Sequence, residues 1–252
     1  MSYFLQGLSV LNTRPLTQGK ALSDAIIQAG GTAIECPALA IEAVQFSLPA
    51  LHQANFAIFI SANAVNYLLT ELDKHNIQWP ETLKVIAVGH ATAAMLKQHD
   101  IRVDFIPQES TSESLLKLDC LQDVHDAFIL LFKGGEGRPD IANTLVSRGA
   151  NLTTVDVYKR VIPEYNQQYI DSLWQENAVD IILFTSQQAM QNIFTMFGNE
   201  AHSWLCHTPC LVISERLAKA AASLGIQQII ISKPETVLQS LHQFNQGLVH
   251  GK

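Results

Sequence analysis

Short runs of Val, Ile, Leu and Phe recur along the chain, and polar-apolar patterns with helical spacing follow most of them. This alternation is typical of β-α-β units, whose parallel strands are buried on both faces. The runs predict strands at 8–12, 32–36, 56–60, 84–88, 102–106, 127–132, 152–157, 180–184, 209–213 and 227–232. The pattern therefore predicts an α/β protein with two five-stranded, mostly parallel sheets.

The sequence contains an internal repeat. Residues 59–116 resemble residues 184–241 at a constant offset, and residues 10–31 resemble residues 130–150. The second pair has a strand, a turn, an amphipathic helix and a glycine at the helix end. Because this piece comes first in one copy and last in the other, the repeat predicts that one domain is inserted in the other.

We therefore expect a discontinuous domain one of residues 1–36 plus 165–252, and an inserted domain two of residues 47–155. The linkers would be 37–46 and 156–164, whose alternating apolar residues favour a two-stranded ladder. Each domain should be a doubly wound, flavodoxin-like sheet with strand order 2-1-3-4-5. Ligands of such sheets bind beyond the carboxyl ends of the strands, so two facing domains would enclose one cleft.

Composition and charge narrow the classes of function. The 252 residues suffice for two domains with separate cores. The start lacks the features of a signal peptide and no stretch reaches the roughly 18 apolar residues of a membrane span, so we expect a cytoplasmic protein without a membrane partner. The net charge of −7 argues against nucleic-acid binding. Four scattered cysteines predict buried thiols rather than disulfides.

No motif of the sequence indicates a metal or cofactor. Cys206 and Cys210 lie near His202 and His207, but without C-x2-C spacing, and no HExxH motif occurs. Neither a GxGxxG motif after a strand nor a GxxxxGK[ST] motif is present, and no GxSxG motif suggests a nucleophile. We expect no cofactor and no metal.

Small polar residues follow nearly every predicted strand and stand just before a helix. Helix N-termini offer unpaired N–H groups and a positive dipole end, and Arg and Lys add charge, so these loops predict binding of an anionic ligand. The candidate binding residues are Thr13, Arg14, Ser61, Asn63, Gly89, Thr92, Lys133, Gly134, Gly135, Arg138, Ser186 and Ser214.

Helix capping alone would also explain Ser61, Thr92, Ser186 and Ser214, because Ser and Thr are preferred N-caps in any α/β fold. The glycines of the KGGEGR segment at 133–138 would equally serve a tight turn.

Six segments together resemble the uroporphyrinogen-III synthase family. They are VLNTRPLTQGKALSDAIIQAGG at 10–31, SANAV at 61–65, VGHATA at 88–93, TSESLL at 111–116, KGGEGR at 133–138 and VDVYKR at 155–160. The resemblance covers nearly the whole chain, in order. It implies a monomeric, cofactor-independent cyclising hydro-lyase of haem and sirohaem biosynthesis. Its substrate would be hydroxymethylbilane, a linear tetrapyrrole with eight carboxylates, which the family cyclises with loss of water and inversion of ring D.

The resemblance also implies that Tyr158, in the second linker, is the proton donor for the leaving hydroxyl. A phenol with a pKa of about 10 stays protonated at neutral pH. Alternatively, Tyr158 is an aromatic residue that packs the linker ladder with its hydroxyl in water. Where many members of the family have a threonine, this chain has Leu217. Either the role of that threonine is not universal in the family, or Ser214 and the loop amides serve instead.

A second class of function stays open. A non-catalytic binding or sensor module for an anionic metabolite would share the fold and the strand-end loops, because a fold does not determine a function. For an enzyme, a transient contact with the enzyme that makes the bilane is a further possibility.

Overall fold

The computed structural model describes residues 4–135 and 139–250. The chain forms two compact units: unit 1 is Met1–Ala40 with Val161–Lys252, and unit 2 is Ile41–Arg160. Unit 2 therefore interrupts the sequence of unit 1, and both chain crossings lie near the expected linkers.

The strands are β1 (Ser9–Asn12), β2 (Thr32–Glu35), β3 (Ala40–Ala43), β4 (Phe56–Phe59), β5 (Lys84–Ala87), β6 (Phe128–Gly134), β7 (Asn151–Val161), β8 (Ile181–Phe184), β9 (Cys210–Val212) and β10 (Ile229–Ile231). The helices are α1 (Leu16–Gln28), α2 (Ala62–Lys74), α3 (His90–Gln98), α4 (Ser112–Leu115), α5 (Asp140–Ser147), α6 (Gln167–Gln175), α7 (Gln187–Phe197), α8 (His202–His207), α9 (Glu215–Ser223) and α10 (Val237–His250). Within the described ranges, no helix is long and apolar enough to cross a membrane.

The sheet of unit 1 has the order β10-β9-β8-β1-β2, and its strand pairs are parallel. Counted among the strands of this unit, the order is 2-1-3-4-5, which confirms the predicted doubly wound sheet. Successive residues of β8 alternate between two apolar clusters: Ile182 and Phe184 belong to one, and Ile181 and Leu183 belong to the other. Both faces of the strand are buried, as its uninterrupted apolar run predicts.

The sheet of unit 2 has the order β3-β7-β6-β4-β5, or 1-5-4-2-3 counted among the strands of this unit, so the predicted order 2-1-3-4-5 was wrong for this domain. β3 comes from the first linker and pairs with β7, and Val44 N donates to Val157 O at 3.3 Å. The ladder predicted between the linkers is therefore present, and it forms the edge of this sheet.

The strand predicted over 102–106 does not form, so that prediction was wrong. Only Phe105 bridges to β5, opposite Ile86. The Asp104 carboxylate accepts the N–H of Val85 at 2.8 Å, which removes a main-chain donor from the ladder. β3 is the fifth strand of the sheet instead.

Candidate active site at the strand ends

Hydroxyl-bearing residues stand between strands and helices in both units. Ser61 separates β4 from α2, Ser186 separates β8 from α7, and Ser214 separates β9 from α9. Because parallel strands end at one edge of a sheet, the candidates of each unit gather at one sheet edge.

Three of these serines cap their helices. The Oγ atoms of Ser61 and Ser186 each accept a backbone N–H at 3.1 Å, from Ala64 and Ala189, and Ser214 accepts that of Leu217 at 3.3 Å. Capping is therefore one role of each serine, and it leaves the hydroxyl hydrogen free for another acceptor.

The N-terminus of α3 contains two of the predicted binding residues, Gly89 and Thr92. Gly89 is the N-cap, with the same extended backbone as the capping serines, and a Cβ there would collide with Ser110 Oγ. Thr92 is the third residue of the helix, with only 3% of its surface exposed, so the capping interpretation was wrong for it. Leu217 is the third residue of α9 and lies in the apolar core of unit 1.

Tyr158 lies on β7 and is almost completely buried, with 3% of its surface exposed. Its hydroxyl is 3.1 Å from Ser61 Oγ, and its ring stacks on Tyr67 with 6.0 Å between the centroids. A Cβ at Gly134 would be 2.5 Å from Tyr158 Cε2, so only glycine leaves room for the ring in this position. The ring packs in unit 2, as the alternative predicts, but at 3% exposure the hydroxyl lies against Ser61 and not in open solvent.

Tyr67 also holds the chain segment that enters unit 2, since its hydroxyl donates to Ile41 O at 3.0 Å. Tyr67 lies on α2, and nothing in the sequence linked it to Tyr158. Only the pairing of β7 with β6, beside β4, brings the two rings together.

Lys133 is bound to groups of the protein itself. Its Nζ pairs with Asp156 Oδ1 at 2.8 Å and donates to the carbonyl oxygens of Gly134 at 3.0 Å and Gly135 at 3.3 Å. The N–H of Gly135 in turn donates to Tyr158 O at 2.9 Å. Lys133 thus fixes the loop after β6 against β7. Asp156 was not among the predicted residues, although a lone carboxylate in an apolar strand was a signal for such a pairing.

Thr13 and Arg14 follow β1 and have different surroundings. Thr13 is fully buried, and its hydroxyl donates to Leu183 O at 2.7 Å on the neighbouring strand. Arg14 forms no ion pair within the described ranges, and its Nε is buried without a hydrogen-bond partner. Asn12, which sequence reasoning missed, accepts the N–H of Arg14 at 3.3 Å and donates to Ser23 Oγ at 2.9 Å. The loop thus holds an arginine that has no carboxylate partner among the described residues.

Two predicted binding residues are left without an assigned role. Asn63, in the first turn of α2, is exposed. Arg138 lies outside the described residues.

Burial raises the pKa of two cysteine thiols of unit 1. It raises the pKa of the Cys36 thiol from 9.0 to about 12, with a smaller opposing effect from a hydrogen bond to Tyr165. Burial also raises the pKa of the Cys210 thiol to about 12. Within the described ranges, no three His, Cys, Asp or Glu side chains converge as metal ligands.

The fold and the strand-end loops define a class: two α/β units, one inserted in the other, with helix N-termini and hydroxyl groups at the carboxyl ends of parallel strands. The family model described as "Uroporphyrinogen-III synthase HemD" matches residues 20–240. The chain therefore belongs to the uroporphyrinogen-III synthase family and is an enzyme.

Curated relatives and solved structures bear the same name. The chain is 30% identical to uroporphyrinogen-III synthase of Escherichia coli (strain K12), over 89% of this chain and 95% of that protein. It is 28% identical to the enzyme of Salmonella typhimurium, with the same coverage.

Two solved structures have the same fold. A mutant synthase from the extremely thermophilic bacterium Thermus thermophilus aligns with a TM-score of 0.62 at 18% identity, covering 97% of this chain and all of that one. The Helicobacter pylori synthase aligns with a TM-score of 0.60 at 17% identity, covering 96% and 99%.

Proposed function

We propose that this enzyme converts hydroxymethylbilane to uroporphyrinogen III, with loss of water and inversion of ring D. The observation that carries the proposal is family membership over residues 20–240. The strand-end groups fit the substrate class, since a molecule with eight carboxylates needs many separate donors. In this proposal domain one is 1–36 plus 165–252, domain two is 47–155, and 37–46 and 156–164 link them.

Helix N-termini and unpaired donors would bind the carboxylates. The first turns of α2, α3, α7 and α9 each present backbone N–H groups at a strand end. Arg14 adds a guanidinium without a carboxylate partner in the described part of the chain. Ser186, Ser214 and Asn63 remain proposed binding residues. Thr92, which is 3% exposed, would act by packing the first turn of α3, whose N–H groups face the strand end. The contacts of Thr13, Lys133, Gly134 and Gly135 are with the protein itself, so these four residues would position the loops.

The chemical step would be acid-assisted loss of the terminal hydroxyl, with Tyr158 as the source of the proton. Its phenol lies beside the N-terminus of α2, bonded to Ser61. The ring packs in an apolar cluster of unit 2, but the positive end of α2 would stabilise negative charge that develops on the hydroxyl. No cofactor is needed for this step, and we propose a cofactor-independent hydro-lyase.

We propose that the enzyme works as a monomer in the cytoplasm. Because its substrate is reactive, a transient contact with the enzyme that makes the bilane would shorten the exposure of the bilane to water.

Product identity tests the proposal. Purified protein is mixed with freshly prepared hydroxymethylbilane, and the oxidised products are separated by chromatography. The proposal predicts the type III isomer in excess over a no-protein control, in which the bilane cyclises to type I. A product mixture equal to the control, together with saturable binding of the bilane, would instead support a non-catalytic binding module.

A further inference from the structure

Tyr158 is buried where the proposed reaction needs an accessible acid. A general acid has to lie within about 2.6–3.2 Å of the atom that takes its proton. Tyr158 is 3% exposed, and Ser61 Oγ, at 3.1 Å, already occupies the hydrogen-bonding position of its hydroxyl. Ser61 itself is partly exposed. Of the two residues, Ser61 is the more exposed, so its hydroxyl is the better placed for contact with a substrate.

The number of hydrogen bonds that Ser61 can form indicates which of the two hydroxyls donates to the other. A serine hydroxyl has two acceptor sites and one hydrogen. The N–H of Ala64 occupies one acceptor site. If Tyr158 donates to the second acceptor site of Ser61, the hydrogen of Ser61 remains for an external acceptor. All hydrogen-bonding groups of Ser61 are then used. In the opposite direction Ser61 would spend its only hydrogen on a buried phenol.

We propose that Ser61 contacts the leaving hydroxyl of the bilane and relays to it the proton of Tyr158. This inference rests on the proposed function and assigns Ser61 a catalytic role in addition to its cap. Ser61 gives its proton to the leaving oxygen while it takes the proton of Tyr158. The C–O bond breaks, its electron pair stays with the oxygen, and water departs.

The charges and protons balance over the whole reaction. The carbon that loses water becomes part of a cation delocalised over the adjoining pyrrole, and Tyr158 becomes a phenolate. Ring closure and rearomatisation then release one proton from the tetrapyrrole, and that proton returns through Ser61 to Tyr158. The N-terminus of α2 lies next to the phenolate and stabilises its charge without a positively charged side chain.

Neighbouring residues fix the positions of the hydroxyls of Ser61 and Tyr158. The cap bond to Ala64 fixes Ser61, while the stacked ring of Tyr67 and the close approach of Gly134 fix Tyr158. A proton relay needs such fixed geometry, because a shift of about 1 Å costs much of the rate.

The test compares Ser61→Ala, Ser61→Thr, Tyr158→Phe and the Ser61→Ala/Tyr158→Phe double variant, with kcat and KM for the type III isomer as readouts. If the two residues serve one proton path, each single variant lowers kcat at least about tenfold with little change in KM. The double variant then falls no further than the worse single variant, since residues acting as a unit are not additive. Ser61→Thr keeps a hydroxyl and restores most of kcat.

Loss of the helix cap needs its own control. Asn166 caps α6 through a 2.8 Å bond from Gln168 N and lies outside the proposed site. Asn166→Ala should lower the melting temperature while kcat stays at the wild-type value. If Ser61→Ala does not fold, Ser61→Gly replaces it, because glycine keeps most of the capping preference and removes the hydroxyl.

The outcomes separate this inference from the proposed function. Wild-type protein that makes no type III isomer contradicts the proposed function. Wild-type protein that makes it, with kcat unchanged in Ser61→Ala or Ser61→Gly, or with losses that multiply in the double variant, overturns the relay alone.

Discussion

The ring of Tyr158 lies directly over Gly134, although the two residues belong to different strands. A methyl group at position 134 would be 2.5 Å from Cε2 and 2.7 Å from Cζ of that ring. The position of the proposed acid thus depends on the absence of a side chain on β6.

Gly134→Ala should therefore lower both stability and kcat. Overpacking a buried position costs about 1–3 kcal/mol, and the displaced ring would no longer reach Ser61. Urea denaturation and steady-state kinetics measure the two effects. Gly135→Ala is the matched control for stability, because its nearest neighbour, Tyr158 O, is 4.0 Å from the added Cβ. Equal stabilities of the two variants would contradict the packing argument.

Tyr158→Phe should reduce kcat at least about tenfold, the usual contribution of general-acid catalysis, while the ring still packs on Tyr67. Tyr165→Phe is the control, because it also removes a tyrosine hydroxyl, one that donates to Pro37 O at 3.1 Å in unit 1. It should lower the melting temperature and leave kcat unchanged. An unchanged kcat in Tyr158→Phe would remove this residue from the mechanism.

Arg14→Gln should raise KM with little change in kcat, if the guanidinium, which forms no ion pair in the described part of the chain, binds a substrate carboxylate in the ground state and transition state alike. A hydrogen bond to a charged group contributes about 1.5–3 kcal/mol, so we expect KM to rise about tenfold or more. Arg102→Gln is the control, because Arg102 is exposed and pairs only loosely with Asp104, at 3.6 Å. Equal KM values for both variants would argue against carboxylate binding by Arg14.

Ser186 offers a way to separate capping from binding. Ser186→Ala should cost about 0.5–2 kcal/mol of stability, and Ser186→Gly only a few tenths, because glycine is tolerated at N-caps. If the hydroxyl also binds substrate, KM rises in both variants. A KM that returns to the wild-type value in Ser186→Gly would show that Ser186 acts as a cap alone.

Stability should fall with rising pH above about pH 9, and Cys36 should contribute to the fall. The pKa of its thiol is 9.0 when exposed and about 12 when buried in the folded chain. Below pH 9 both states keep the proton, whereas above it the unfolded chain loses the proton first, so its free energy falls relative to that of the folded chain. The stabilising contribution is complete below pH 9 and disappears as the pH approaches 12.

Cys36→Ala should make this loss of stability less steep, although Cys210 will still contribute. Urea denaturation of both proteins between about pH 8 and pH 10.5 measures the two slopes. Parallel slopes would show that Cys36 does not titrate differently in the two states.

The sequence by itself determined the class of the fold. Buried strands such as β8 are runs of apolar residues that no polar neighbour interrupts, and the repeat placed one copy inside the other. The sequence also indicated which residues end the strands and start the helices, because Ser61, Ser186 and Ser214 are strong N-caps. These signals are local, or are repeated along the chain, so they can be read without coordinates.

The tertiary structure alone decided which of these residues meet. Ser61 and Tyr158 are 97 positions apart, and their contact follows from the order of β7, β6 and β4 in one sheet. The same applies to the pairing of Lys133 with Asp156 and to the carboxylate of Asp104, which interrupts a predicted strand. Such contacts depend on sheet order and register. A hydrophobic pattern shows which face of a strand is buried, but it does not determine the neighbouring strand. The sequence supplied the groups of the site, and the arrangement of the strands determined their partners.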